Sequence, residues 1–178
     1  MILKNEYIIP QHLINEAAEY AKLSRTFTSN RHDFHSGGLT NKQKKMFEGK
    51  LGEKIFKIFL LENNVAFQED RSSFTEADNY DFILPDNTTI DVKTRTRNFH
   101  IRTLEMVEQF ERNPKDIFIS IRLYPEQYKG LIIGWFSKEH LLQKNRIENQ
   151  GYLDNYVMYD SDLHPIKELY DNILVKFN

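Results

Sequence analysis

Two aspartates and a lysine stand among apolar residues in the segment NYDFILPDNTTIDVKTRTR, which runs from Asn79 to Arg97. Burying an unpaired charge is costly, so charged positions inside an apolar strand pattern call for a chemical reason. Asp81 lies ten residues before Asp91, and Lys93 follows two positions later. Carboxylates are preferred ligands of Mg²⁺, and an ammonium group can stabilise an anionic transition state. Together, these residue types suit the hydrolysis of a phosphodiester.

The spacing of the two aspartates predicts that they meet across a β-hairpin. The residues PDN between the strands suit a three-residue loop, with Pro85 in a type I turn and Asn87 in a left-handed backbone. Such a loop places Phe82 opposite Ile90, and the two aspartates opposite each other one step further on. The apolar residues then share the core face, and the charged residues share the other face: Asp81, Asp91, Lys93 and Arg95.

Two carboxylates that lie side by side in a sheet repel each other and destabilise the pairing. A divalent cation between them reverses that effect, and it could also activate a water molecule and neutralise charge on phosphate oxygens. The alternative is a surface hairpin in which Lys93 simply pairs with the two acids.

The helix that precedes the hairpin adds a third acidic residue. The segment GKLGEKIFKIFLLENN, residues 49–64, carries Glu53 in a glycine-containing helix start. Together with Asp81 and the triplet DVK at 91–93, it resembles the core of the PD-(D/E)XK nuclease superfamily, in which a helix acid completes the site. Tyr80 stands in place of the proline that usually precedes the first aspartate of that family.

This resemblance covers residues 49–95 and implies a restriction-endonuclease-like fold that cuts DNA with a metal ion. It implies that Lys93 is the catalytic cation, and that the enzyme works as a homodimer because cutting two strands needs two active sites. It also implies that Mg²⁺, with Mn²⁺ as a substitute, is bound by Asp81, Asp91, Glu53 and the backbone carbonyl of Val92.

Helical periodicity alone does not decide which helix acid joins the site. Glu48 lies beside the main apolar stripe of the helix, whereas Glu53 lies on a weaker second stripe. Five residues correspond to about 500° of rotation, so the two acids point about 140° apart. The family pattern favours Glu53. Gly49, one turn before it, is expected to let that face of the helix approach the sheet.

Hydrophobic periodicity and turn residues predict a mixed α/β fold of the α+β type, with a central mixed sheet of about four to five strands flanked by helices. Helices are predicted over residues 11–23, 40–63, 103–112, 138–144 and 166–173. Strands are predicted over residues 80–84, 88–95, 116–123, 131–136 and 155–159. The predicted N-caps are Thr40 and Ser137.

The chain has 178 residues, of which 40% are hydrophobic and 28% charged. This length fits a single nuclease domain, with an N-terminal helix and polar loop (1–40), a catalytic core (41–144) and a C-terminal extension (145–178). The absence of cysteine excludes disulfides and thiolate metal sites and suits a reducing cytoplasm. No apolar run approaches the roughly 18–20 residues that span a bilayer, and the N-terminal segment does not match a signal peptide.

Charge is distributed unevenly although the net charge is only −2. Residues 22–57 carry nine Lys or Arg against three acids, whereas residues 148–178 carry two against six. The first segment predicts a basic surface that meets a polyanion, and two differently charged solvated surfaces are the alternative. The spacing of His32 and His35 is that of metal ligands on a helix, but a polar loop is the favoured interpretation. The residues expected to contact nucleic acid are Arg95, Arg97, Arg31 and Lys45.

The predicted function is therefore that of a small metal-dependent DNA endonuclease of the restriction or junction-resolving type. The alternative is an inactive nucleic-acid-binding module that keeps the nuclease fold. All four catalytic positions are filled, which argues against that alternative. The sequence leaves open the recognised site and the choice between DNA and RNA.

Overall fold

The computed structural model describes residues 3–24, 39–70, 80–149 and 151–178. The side chains of residues 39 and 40 are not part of that description. The described chain is a mixed α/β fold, as the sequence predicts. Its α-helices are α1 (Gln11–Leu23), α2 (Leu39–Glu62), α3 (Val107–Arg112), α4 (Lys138–Lys144) and α5 (Ile166–Asn172).

Nine strands form two sheets in the described residues, which is more than the four to five predicted. The larger sheet has six strands in the order β1-β7-β6-β4-β3-β2, and the smaller has three in the order β5-β9-β8. Strand β4 runs parallel to β6, and the other paired strands are antiparallel. The strands are β1 (Glu6–Ile8), β2 (Gln68–Glu69), β3 (Phe82–Ile83), β4 (Thr89–Arg95), β5 (Arg102–Met106), β6 (Ile117–Tyr124), β7 (Lys129–Ser137), β8 (Ile147–Asn149) and β9 (Asp154–Tyr159).

Helix α2 covers one face of the larger sheet, where it packs on β4, β6 and β7 and is itself flanked by α1. Its apolar residues recur every three to four positions, so they form a broad stripe that can be removed from water. The main core lies between this helix and the sheet. Five α2 side chains in that core are completely buried: Leu51, Ile55, Phe56, Phe59 and Leu60.

The smaller sheet lies over the other side of the fold, where β5 packs near β4 and β9 packs against helices α3 and α4. Successive residues of a strand point to opposite faces, so β6 contributes side chains to both faces of the larger sheet. Ile117 and Ile119 belong to the main core, whereas Phe118 belongs to a second apolar cluster. That cluster consists of Phe110, Phe118, Phe136, Leu141, Tyr156 and Met158.

The prediction of a helix over 103–112 is wrong in its first half. Residues 102–106 form β5, whose alternating burial has the period of a strand, and the helix begins only at Val107. Strand β5 pairs with β9, which lies about 50 residues further along the chain. Such tertiary pairing overrides a weak local helical pattern. The strands β1, β2 and β8, each only two or three residues long, were not predicted either.

The two N-cap predictions have different outcomes. The Ser137 hydroxyl accepts a hydrogen bond from the His140 N–H at 3.2 Å, so it caps α4 as predicted. Helix α2 begins at Leu39, which places Thr40 inside its first turn rather than at the N-cap.

Candidate active site

The hairpin between β3 and β4 has the predicted loop. The Asn87 N–H donates to the Leu84 carbonyl at 2.9 Å, and the Leu84 N–H donates to the Thr88 carbonyl at 3.0 Å. Asn87 has a φ of 68°, which is the left-handed conformation that asparagine tolerates. Phe82 pairs with Ile90, so the turn chemistry set the register correctly.

Asp81 meets β4 in a different way from the cross-strand pair that we predicted. The β3–β4 ladder ends at Phe82, and the Asp81 N–H donates to the Ile90 carbonyl at 3.0 Å. The Asp81 carboxylate accepts a hydrogen bond from the Val92 N–H, with a 2.6 Å distance between Oδ2 and the amide nitrogen. The carboxylate therefore lies beside the Asp91–Lys93 segment instead of directly opposite Asp91.

Burial raises the pKa of Asp81 well above its ordinary value, and the neighbouring Glu53 and Asp91 carboxylates raise it further. The Lys50 ammonium and the Val92 N–H act in the opposite direction but do not cancel the effect. Glu53 and Asp91 are thus the two carboxylates whose charges act most strongly on Asp81. That the three acids form one site stays a prediction.

Lys93 is held between two carboxylates from different sheets. Its Nζ lies 2.8 Å from Asp91 Oδ2 and 2.5 Å from Glu105 Oε2, and its side chain keeps 23% of its surface exposed. Burial lowers the pKa of Lys93, but the charges of Asp91 and Glu105 outweigh burial and raise it above its ordinary value. Lys93 is therefore a fixed positive charge at neutral pH.

Glu105 and Lys115 were missed by the sequence analysis. Glu105 lies on β5 with only 3% of its side chain exposed, in a segment that we predicted to be helical. Lys115 is 4% exposed just before β6, and its Nζ donates to the Asn113 carbonyl at 2.7 Å. Burial lowers the pKa of Lys115 even though Asp91 and Glu105 act to raise it. No local motif marks either residue, because the two sheets bring them to the site.

Glu53, rather than Glu48, is the helix acid next to Asp81. The Glu53 side chain is 12% exposed and accepts a hydrogen bond from Lys50 Nζ at 2.9 Å. Glu48 faces a different neighbourhood, where Lys44 lies 3.8 Å away and Arg97 acts on its charge. This arrangement agrees with the rotation between the two acids that helical geometry predicts.

The prediction that Gly49 allows helix α2 to approach the sheet is wrong. A Cβ added at Gly49 would meet no atom within 4 Å, so Gly49 does not bring the helix to the sheet. A Cβ at Gly52 would lie 1.9 Å from the Thr94 Oγ1 of β4. Gly52 is therefore the residue that allows α2 to lie against the strand that carries Asp91 and Lys93.

Cation binding by Asp81, Asp91 and Glu53 stays a prediction. In the described part of the chain, no group of three or more His, Asp or Glu side chains is arranged to hold a metal ion. Two carboxylates are sufficient for Mg²⁺, which retains several waters and takes few protein ligands. Asp91 Oδ2 is buried and is paired with Lys93 Nζ at 2.8 Å.

Seven titratable groups make up the candidate site. They are four carboxyl groups (Glu53, Asp81, Asp91 and Glu105) and three ammonium groups (Lys50, Lys93 and Lys115). Burial raises the pKa of Asp81 and of Glu105, so these two carboxyl groups hold their protons more tightly than ordinary ones.

The residues predicted to contact nucleic acid lie in different parts of the chain and differ in exposure. Arg95 is only 8% exposed and pairs with Asp160, the residue after β9, instead of reaching the surface as we expected. Arg97 and Lys45 are exposed. Arg31, with His32 and His35, lies outside the described residues.

In comparisons with protein-family models, curated proteins and solved structures, no match was found. The resemblance to the PD-(D/E)XK superfamily therefore stays a prediction from the motif. None of the helices in the described ranges has the length and apolar character needed to cross a bilayer.

Proposed function

We propose that this chain is a metal-dependent phosphodiester hydrolase that cuts DNA internally. The observation that carries the proposal is that the Asp81 carboxylate accepts the Val92 N–H at 2.6 Å, between Asp91 and Lys93, which are themselves paired at 2.8 Å. Burial, and then the charges of Glu53 and Asp91, raise the pKa of Asp81, which costs stability and favours a functional role for it.

Each residue of the site has a distinct task in this proposal. Asp81 and Asp91, with the Val92 carbonyl, would hold Mg²⁺ or Mn²⁺, and Glu53 would complete the shell directly or through water. When bound, the cation supplies an activated water and neutralises charge on phosphate oxygens. Lys93 stabilises the extra negative charge of the transition state from a fixed position. In the hydrolysis a water oxygen would bond to phosphorus and release a proton to solvent, while one ester P–O bond breaks and the departing oxygen takes up a proton from solvent.

The competing function is a nucleic-acid-binding module without catalysis. The filled positions Glu53, Asp81, Asp91 and Lys93 favour the enzyme. A homodimer would supply the two sites needed to cut both strands, and the cysteine-free composition suits the cytoplasm.

The test is cleavage of supercoiled and branched DNA by the purified chain, with Mg²⁺ and with EDTA. Cutting that needs Mg²⁺ supports the enzyme, whereas cutting that persists undiminished in EDTA contradicts the metal mechanism. Binding of every DNA form without any cutting favours the inactive module.

A further inference from the structure

The loop that follows β4 carries an exposed aromatic side chain. After Arg95 the chain continues into residues 96–101, where Phe99 has 76% and Ile101 57% of its surface exposed. Single exposed apolar residues are common on protein surfaces, but two in one short loop are a candidate contact surface.

Hydrogen bonds from the rest of the fold hold this loop in place. The His100 N–H donates to the Arg97 carbonyl at 3.1 Å and closes a turn, with Phe99 inside it. The Arg122 guanidinium donates to the His100 carbonyl at 3.1 Å, and the Asp160 N–H donates to the Ile101 carbonyl at 2.9 Å. Phe99 therefore projects from a loop that is tied to β6 and to the residue that follows β9, which lowers the entropy cost of using it for binding.

The charged side chain closest to Phe99 along the chain is basic. Arg97 is exposed two residues before Phe99. It acts on the charge of Glu48 in helix α2, as do Lys44, Lys45 and the acidic Glu126, so three basic side chains face two acidic ones on this side. An aromatic ring close to an exposed arginine is a combination that binds unpaired nucleotides, since every base has a face that can stack.

The loop also lies within reach of the candidate active site along one strand. Phe99 lies six positions after Lys93, so their Cα atoms are at most about 20 Å apart even in an extended chain. At about 3.4 Å per nucleotide, this distance corresponds to roughly six stacked nucleotides or fewer. One bound strand could therefore contact both places.

We propose that Phe99 stacks on an unpaired base of the substrate, a few nucleotides from the phosphate that is cut. This inference rests on the proposed nuclease function and deepens it, because it assigns the substrate class. The preferred substrates are nucleic acids with a single-stranded or splayed segment rather than fully paired duplex.

The test compares the affinities of three labelled DNAs of the same sequence: single-stranded, splayed and fully paired. Fluorescence anisotropy is measured in EDTA and again with Ca²⁺, and cutting is checked on a gel. We expect Phe99→Ala to weaken binding of the single-stranded and splayed forms about tenfold, with little effect on the duplex. Phe99→Tyr, which keeps the ring, should restore the affinity. Tyr152→Ala is the matched control, since Tyr152 is 85% exposed in the acidic C-terminal segment; it should change nothing.

Three results would overturn the inference. Phe99→Ala could bind all three DNAs like the wild type, or lose affinity equally for paired and unpaired forms. Alternatively, it could abolish self-association in sedimentation, which would assign Phe99 to an interface between two copies. In each case, Mg²⁺-dependent cutting by the wild type would leave the proposed function standing. If the wild type neither binds nor cuts any of the three DNAs, the proposed function fails as well.

Discussion

The Lys93 ammonium lies 2.5 Å from the carboxylate of Glu105, although the two residues belong to different sheets. Lys93 comes from β4 of the larger sheet and Glu105 from β5 of the smaller one. A second polar contact nearby also joins the sheets, since the Thr103 and Ser120 hydroxyls are 2.8 Å apart. The smaller sheet is therefore part of the candidate active site, because its Glu105 fixes the position of the Lys93 ammonium group.

Glu105→Gln should lower kcat by roughly one to two orders of magnitude, because small displacements of a catalytic group have large effects. It should also reduce the free energy of unfolding by about 1–3 kcal/mol, the usual cost of losing a hydrogen bond to a charged group. Cleavage rates and urea unfolding measure these two effects. Glu148→Gln is the matched control, since Glu148 pairs with Arg102 on the same small sheet; it should keep full activity.

A double-mutant cycle with Lys93→Met separates this pairing from a general packing role. Without the ammonium, Glu105 and Asp91 repel each other, so Glu105→Gln should then stabilise the fold. If Glu105→Gln is equally destabilising with and without Lys93, the two residues are not coupled and Glu105 does not position Lys93.

Local chemistry explains which parts of the fold could be predicted. The register of the β3–β4 hairpin depends on its three loop residues, and the conformations that Pro85 and Asn87 favour were enough to predict it. Strand β5 depends on β9, far away in sequence, and nothing within its own five residues shows that partner. Glu105 was missed for the same reason. Its role comes from the meeting of two sheets.

Gly52→Ala should destabilise the protein by about 1–3 kcal/mol, as expected for overpacking in a filled core. The new Cβ would clash with the β-branched side chain of Thr94, which has little freedom to move aside. Gly49→Ala should instead stabilise it by up to about 1 kcal/mol, because alanine favours the helix and the site is open. Thermal unfolding of both variants measures the difference. Equal effects at the two positions would mean that Gly52 does not set the distance between helix and sheet.

Glu53→Gln should reduce turnover by roughly two orders of magnitude or more, which is typical of losing an electrostatic contact in the transition state. Glu48→Gln should keep most of its activity, because Glu48 faces Lys44 and Arg97 rather than Asp81. Both variants are compared in Mg²⁺-dependent cleavage, with thermal melting to confirm folding. An inactive but folded Glu48→Gln beside an active Glu53→Gln would reverse the assignment.

Asp81→Asn should stabilise the protein at neutral pH while removing its activity. The folded chain binds the Asp81 proton more tightly than the unfolded chain, because burial and two acids raise its pKa. The free energy of unfolding of the wild type therefore falls as pH rises from the ordinary carboxyl pKa through the raised one. Asparagine cannot ionise, and its carbonyl can still accept the Val92 N–H. Urea unfolding in EDTA across this pH range measures the effect, and a variant less stable than wild type throughout would contradict it.

The surroundings of Asp81 and Lys93 could be predicted only in part. The hairpin brings Asp81 to the strand of Asp91 and Lys93. Helix periodicity left both Glu48 and Glu53 open, and only the family pattern favoured Glu53. Arg95 was expected at the surface because alternation places it on the same strand face as Lys93. The alternation of side chains along a strand does not show what covers each face. Here the Arg95 guanidinium is buried and pairs with Asp160.

The most direct test of the central claim is to measure cleavage and DNA affinity side by side for the wild type and Lys93→Ala. The proposed mechanism predicts that Lys93→Ala stays folded and loses Mg²⁺-dependent cleavage. It also predicts that affinity stays within a few-fold, because one cation among several contributes little to phosphate binding. If Lys93→Ala cuts DNA as fast as the wild type, Lys93 is not the catalytic cation and the proposed active site is wrong.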